Sequence, residues 1–196
     1  MAAPKTRDRV VDAALWAFGT RGYDGTSLDD VAGEVGITKQ AVLYHFPTKE
    51  ELLRSSIEVA AEEVGAALAQ ALRSVPPGFG RVEAIVKATF SLAARRPEVL
   101  GLVRSVTRQG GAPAGELAGR LSALLDDAVA FMAAEMDAGR FRRLEPRMVV
   151  LAIYSSVIGV ATEPEVMRVL GVEPDLRSLV QARRQMIEFL RAALCP

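Results

Sequence analysis

The chain has 196 residues, half of them hydrophobic, and its 24 lysines and arginines are balanced by 24 aspartates and glutamates. That length can bury one large core, or a small domain and a larger one, without staples, and a single cysteine, Cys195, excludes an intramolecular disulfide framework and a cysteine zinc cluster. The balance excludes a globally basic coat, and the most apolar run, residues 148–162, is shorter than the roughly 20 residues of a membrane span, so a soluble, cytoplasmic, reducing setting without membrane contact is expected. No apolar leader with a cleavage site opens the chain, which points the same way.

In chain order, residues 6–18 read as a first helix, with Val10, Val11, Ala14, Leu15 and Phe18 on one stripe and Gly19, Gly22 and Gly25 marking a turn. Ser27 is placed to cap a second helix, with Asp30 completing a weak capping box, and Leu28, Val31, Ala32 and Val35 form its apolar stripe. Gly36 suits the left-handed residue that ends a helix, and Ala32 and Gly36 are small enough for two helices to cross over a short turn. Thr38 caps a further helix over residues 39–46 with Val42 and Phe46 facing inward, and Pro47 closes it by pushing its predecessor out of helical geometry.

Two short helices crossing over a glycine turn suit a DNA reader, in which the second helix enters the major groove with its N-terminal residues nearest the base edges. Thr38, Lys39 and Gln40 stand there: Lys39 can donate to guanine or phosphate, Gln40 can pair with adenine, and Thr38 can bond phosphate or pack a thymine methyl. Tyr44, His45 and Lys49 lie further along and suit backbone phosphates, with a packed structural role as the alternative for His45.

The run of residues 7–57, above all GITKQAVLYHFPTKEELL, resembles the N-terminal domain of the TetR family of transcriptional regulators, whose signature ends in an aromatic-His-Phe triplet, a short turn, then Lys-Glu and Leu. The resemblance implies an all-helical dimer in which three N-terminal helices read DNA and a fourth joins them to a larger helical domain, where a bound small molecule changes operator affinity. It also places Ser27 on a phosphate at the start of the second helix, and Thr38, Lys39, Gln40, Tyr44, His45 and Lys49 on the reading helix and its exit. Leu43 departs from the pattern, since many members carry tyrosine there, so one phosphate contact is either absent or supplied by Tyr44.

Charge is the counterargument to DNA binding, because residues 1–60 hold seven basic side chains against nine acidic ones. Residues 37–49, however, contain Lys39 and Lys49 and no carboxylate, and Lys5, Arg7 and Arg9 form a basic segment able to reach the backbone or minor groove. Positive charge is therefore local, and a shallow salt dependence follows.

From the Thr48 cap a long helix is expected to about residue 74; about 25 residues span nearly 38 Å, which suits either a lever between domains or an ordinary long core helix. Helices over residues 82–94, 97–108, 116–138, 147–161 and 175–194 follow, with a flexible stretch at 110–115 and no strand pattern. The chain is thus expected to be all-α, with a DNA-binding domain at residues 1–50 and an effector-binding and dimerisation domain at 51–196. Val149, Val150, Ile153, Val157, Ile158 and Val160 wrap the penultimate helix, and the last helix also has more apolar surface than one neighbour covers, so a homodimer through both is expected. Two-fold symmetry then calls for an inverted-repeat operator.

Phe90, Arg104, Phe131 and Tyr154, with Thr89 and Thr107 beside them, are candidates for a small hydrophobic effector, against plain core roles for the phenylalanines and a solvated face for Arg104. With one histidine, no Gly-rich phosphate loop and no nucleophile elbow, no enzyme, metal or cofactor is expected. The reading is a ligand-responsive regulator, with repression as its expected mode; the alternative is a helical ligand-binding or interaction module with weak or vestigial DNA binding.

Overall fold

The computed structural model describes residues 5–196, whose regular structure is helical throughout, with no strand among them. The elements are α1 (Thr6–Arg21), α2 (Leu28–Val35), α3 (Lys39–His45), α4 (Lys49–Leu72), α5 (Phe79–Arg95), α6 (Pro97–Gln109), α7 (Gly111–Asp137), α8 (Pro146–Thr162), α9 (Pro164–Val169) and α10 (Leu176–Leu194). The all-α expectation holds, with three differences. The stretch from 111 to 115 is helical, because Pro113 lies in a first turn, where a missing N–H costs no intrahelical bond. Helix α9 was not foreseen, its six residues being too few to show a period. Gly19 is no turn residue, since α1 continues past it to Arg21.

Two compact units form, one from residues up to Glu63 with Arg96–Arg120, the other from Val64–Arg95 with Leu121–Pro196, and α4 and α7 each belong to both. In the first, α1 is the hub: Val10, Ala14 and Leu15 are fully buried, and the helix packs on α2, α3 and α6. Its crossing with α6 brings backbone against backbone. A Cβ added at Gly19 would stand 2.1 Å from the Glu98 carbonyl oxygen, and one at Gly101 would stand 2.3 Å from that of Gly19. Arg96, just before α6, draws together Glu98 at 2.5 Å, Glu63 of α4 at 3.2 Å and Asp12 of α1 at 3.6 Å.

The second unit is centred on Phe79, Val82, Val86 and Phe90 of α5, Met132 and Met136 of α7, Phe141, Val149 and Val157 before and within α8, and Met186, Leu190 and Leu194 of α10. The turn from α7 to α8 is pinned twice. The buried Glu135 carboxylate accepts two hydrogen bonds from the Arg140 guanidinium, at 2.6 and 2.7 Å, which holds its pKa below the usual carboxylate range. Arg142 donates its backbone N–H to Leu194 O at 2.7 Å and its Nε to Cys195 O at 2.8 Å, tying the turn to the end of α10. Of the α8 residues read as surplus apolar surface, Val149 and Val157 are buried in the unit's own core and Val150, Ile153, Ile158 and Val160 are half-buried; the large side chains left exposed are Met148 and Leu151.

Replacing Gly101 by alanine drives a methyl into the α1 backbone and is expected to destabilise the fold by about 1–3 kcal/mol. Gly65→Ala, in α4 with open space around the added carbon, is expected to stabilise by about 0.5–1 kcal/mol. Thermal or urea unfolding of the two variants tests the contrast, and equal effects would refute the close crossing.

Candidate nucleic-acid interface

The turn between α2 and α3 is built from local signals. Ser27 Oγ accepts from the Asp30 N–H at 3.1 Å, while the Asp30 carboxylate accepts from the Ser27 N–H and hydroxyl, both at 2.7 Å. Those bonds, the hydroxyl's first, hold the Asp30 carboxyl below its ordinary value of 3.8. Helix α2 ends at Gly36, whose left-handed backbone (φ 75°, ψ 37°) lets both its own N–H and that of Ile37 return to the Ala32 carbonyl. Thr38 Oγ1 accepts from the Ala41 N–H at 3.2 Å, starting α3, and Phe46 is extended before Pro47. Val42 and Phe46 are buried.

Outside that anchoring pair the side chains are exposed or half-buried. Ser27, Thr38, Lys39 and Gln40 are exposed, and Tyr44 is 84% exposed, while Leu43 is half-buried. His45 is half-buried and edge-on to Tyr44, with ring centroids 5.2 Å apart. Lys49 is half-buried too, its ammonium 3.9 Å from the centroid of the Tyr23 ring. The Tyr23 hydroxyl donates to Glu50 at 2.8 Å; burial, and then this carboxylate, push it up to about 12. Six of the seven residues expected to face DNA thus lie on α3 and its flanks, and Ser27 stands at the start of α2.

Sequence reasoning missed what the fold adds to this face. Asp29, from the first turn of α2, pairs with the Lys39 ammonium at 2.7 Å, so the stretch free of carboxylates along the chain is not free of them in space. Arg7 and Arg9 do not extend as an arm. Both lie in α1, where Arg9 donates to the Val35 carbonyl at 2.8 Å and Arg7 stands 5.0 Å over the Phe46 ring. Lys5 stands at the N-cap position of α1 without a side-chain capping bond, and is exposed. Tyr23, which positions Lys49, carried no signal beyond being an aromatic in a glycine-rich turn.

The effector candidates fall in both units. Phe90 is buried in the second unit's core, and Phe131, half-buried at its edge, meets Phe141 edge-on at 6.1 Å beneath the Arg81 guanidinium. Tyr154 is half-buried on α8, whereas Arg104 belongs to the first unit. The Thr89 and Thr107 hydroxyls donate to carbonyls of their own helices. Among the described residues no cluster of three or more His, Cys, Asp or Glu could hold a metal, and no helix is long and apolar enough to cross a membrane.

A capped helix, a left-handed turn and a second helix held on a third by two apolar anchors define a helix-turn-helix DNA-binding domain. Residues 10–55 match the family described as bacterial regulatory proteins, tetR family. Over 52 residues the chain is 44% identical to the biofilm operon icaADBC HTH-type negative transcriptional regulator IcaR of Staphylococcus epidermidis, covering 26% of this chain and 28% of that one. The IcaR of Staphylococcus aureus strain Newman is 40% identical over the same length, again 26% of this chain and 28% of the relative. The match thus spans little more than a quarter of these relatives.

Over the whole fold, the chain is similar to AibR in complex with isovaleryl coenzyme A and operator DNA (TM-score 0.80, 18% identity, 94% of this chain and 97% of that chain). It is also similar to KstR2, the ketosteroid transcriptional regulator of Mycobacterium tuberculosis (TM-score 0.76, 16% identity, 100% and 97% covered), and to a TetR transcriptional regulator from Chloroflexus aurantiacus (0.76, 20%, 97% and 96%). Residues 10–55 thus match the N-terminal domain of the tetR family, and the helical fold of the whole chain is that of these solved structures.

A carboxyl whose pKa is lower folded than unfolded stabilises the fold above its ordinary value, and that contribution is lost as pH falls through the lowered one. Asp30→Ala is therefore expected to lower the melting temperature at neutral pH, by an amount that shrinks once the pH drops below 3.8. Melting curves of both proteins from pH 7 to about pH 2 test this; a gap that stays constant throughout would refute the capping role.

Proposed function

We propose that this protein is a dimeric, ligand-responsive transcriptional regulator that binds an inverted-repeat operator and represses until a small, largely hydrophobic effector releases it. The observation that carries the reading is the outer face of α3, where Thr38, Lys39, Gln40 and Tyr44 are exposed on a helix anchored only from behind. In this reading Thr38, Lys39 and Gln40 meet base edges, and Ser27, Tyr44, His45 and Lys49 meet phosphates. Residues 1–50 hold the DNA contacts and residues 51–196 serve effector binding and dimerisation. The protein works by binding rather than catalysis, on DNA in the cytoplasm.

Two relatives support the finer points. IcaR's name describes a negative regulator, and AibR was solved with an acyl-coenzyme A and operator DNA. Phe90, Arg104, Phe131 and Tyr154 remain the proposed effector contacts. Effector binding would act through α4, one continuous helix shared by both units, by changing its tilt and so the spacing of the two reading helices. Dimerisation would bury the exposed apolar side chains of α8 and α10, among them Leu151, Val180 and Phe189. One observation favours the alternative of a helical module with weak DNA binding: Asp29 neutralises Lys39.

Selection of bound sequences from random duplexes is expected to enrich an inverted repeat, and enrichment of none would sink the regulator reading. Lys39→Ala is expected to lose about 1–3 kcal/mol on the selected site. Tyr44→Ala should weaken all sequences alike. Asp29→Asn, by freeing Lys39, should strengthen binding several-fold and steepen the salt dependence by about one phosphate contact per protomer.

A further inference from the structure

The chain passes between its two units three times, after Glu63, before Arg96 and after Arg120, and each of these residues is charged. All three take part in ion pairs that close on α4 within the first unit. Arg96 meets Glu63 of α4 at 3.2 Å, together with Glu98 at 2.5 Å and Asp12 at 3.6 Å. Arg120, in the first half of α7, meets Glu58 of α4 at 3.0 Å and Glu116 at 3.4 Å, and Glu116 in turn takes Arg54 of α4 at 3.3 Å. Leu117, beside Glu116, is buried and anchors that stretch of α7.

On α4 the paired residues stand at opposite margins of the buried stripe. At about 3.6 residues per turn, Arg54 and Glu58 share one margin, and Glu63 lies about 140° round the helix from Glu58. The buried Ser56, Ile57, Ala60 and Ala61 fill the wider arc between the two margins, and past Ala61 no residue of α4 is buried. Apolar burial is non-directional and leaves a helix free to roll through small angles. Charges at both margins oppose that roll: turning α4 toward α7 separates Glu63 from Arg96, and turning it the other way separates Glu58 from Arg120. A single pair as exposed as these contributes little, but Arg96 serves three carboxylates and Arg120 two, so the pairs act as a network.

We infer that this collar of ion pairs fixes the direction in which α4 leaves the first unit, with Glu58 and Glu63 as positioning residues, and so selects the separation of half-sites that the protein accepts. A two-fold regulator reads the distance between half-sites as geometry, because one added base pair moves a half-site by about 3.4 Å and turns it by about 35°. A reading helix carried on a held α4 does not follow that displacement, whereas one carried on a rolling α4 does. The inference rests on the proposed dimer and inverted repeat, and adds to them the residues that set the spacing.

The test uses the full chain on the operator selected from random duplexes, with its spacer lengthened or shortened by one base pair and each affinity referred to that protein's own best spacer. Wild type is expected to lose at least about tenfold for the change. Glu58→Gln with Glu63→Gln frees α4 but leaves Arg96 with Glu98 and Asp12, and Arg120 with Glu116; it is expected to lose less than about threefold. Glu83→Gln, which deletes a paired carboxylate of α5, is expected to keep the wild-type profile. Raising salt from about 0.1 to 0.5 M is expected to flatten the profile of wild type itself, since the collar is open to solvent. A double variant with the wild-type profile overturns the inference; should that variant fail to fold, a wild-type profile equally sharp at both salts does so. Selection that enriches no inverted repeat overturns the regulator reading as well, whereas an enriched repeat with an unchanged profile overturns the collar alone.

Discussion

A helix of two turns does not hold its own shape in water, because nucleation costs more than so few hydrogen bonds return. Everything proposed for DNA recognition therefore depends on how α3 is docked. Its seven residues are fixed by a hydroxyl cap at Thr38, by the return of two backbone N–H groups at Gly36, and by Val42 and Phe46 buried beneath it. Helix α1 supplies much of that floor, and is itself seated on α6 through a crossing close enough to need glycine on both helices. The outer face of α3 is held in place from behind.

The same crowding decides where positive charge is free to act. Arg7 and Arg9 look available along the sequence, yet one lies over Phe46 and the other satisfies the last carbonyl of α2, so both serve the docking of the turn. Lys49 is steadied on the Tyr23 ring and Lys39 is held by Asp29. With total charge balanced, attraction to phosphate rests on a few cations whose free-state partners must be exchanged for DNA. In the proposed complex, specific hydrogen bonding rather than long-range attraction would then carry most of the affinity.

The helix-turn-helix was legible because its signals are local: Ser27 with Asp30, Gly36, Thr38 and Pro47 each act on backbone within a turn of themselves. The residues proposed to face DNA stand in the same register, on α3 and its flanks and at the start of α2. What escaped depends on tertiary crossing. Gly19 read as a turn residue because nothing near it in sequence reveals the Glu98 carbonyl against it, and Asp29 lies ten residues from the lysine it meets. Helix α9 was lost for want of a full period. On α8, an apolar sequence all round hid which residues the core claims; the fold gives Val149 and Val157 to the core and leaves Met148 and Leu151 outside.

The central claim is that bases are read by the first turn of α3 and phosphates by its end. The most direct measurement is the affinity of wild type, Lys39→Ala, Gln40→Ala and Tyr44→Phe for a set of operators, each differing from the best site by one base pair. The account requires Lys39→Ala and Gln40→Ala to abolish discrimination at one or two base positions, mirrored in both half-sites, with about 1–3 kcal/mol lost there. Tyr44→Phe should weaken every operator by the same factor. Uniform losses from all three substitutions, with the ranking of operators unchanged, would contradict it.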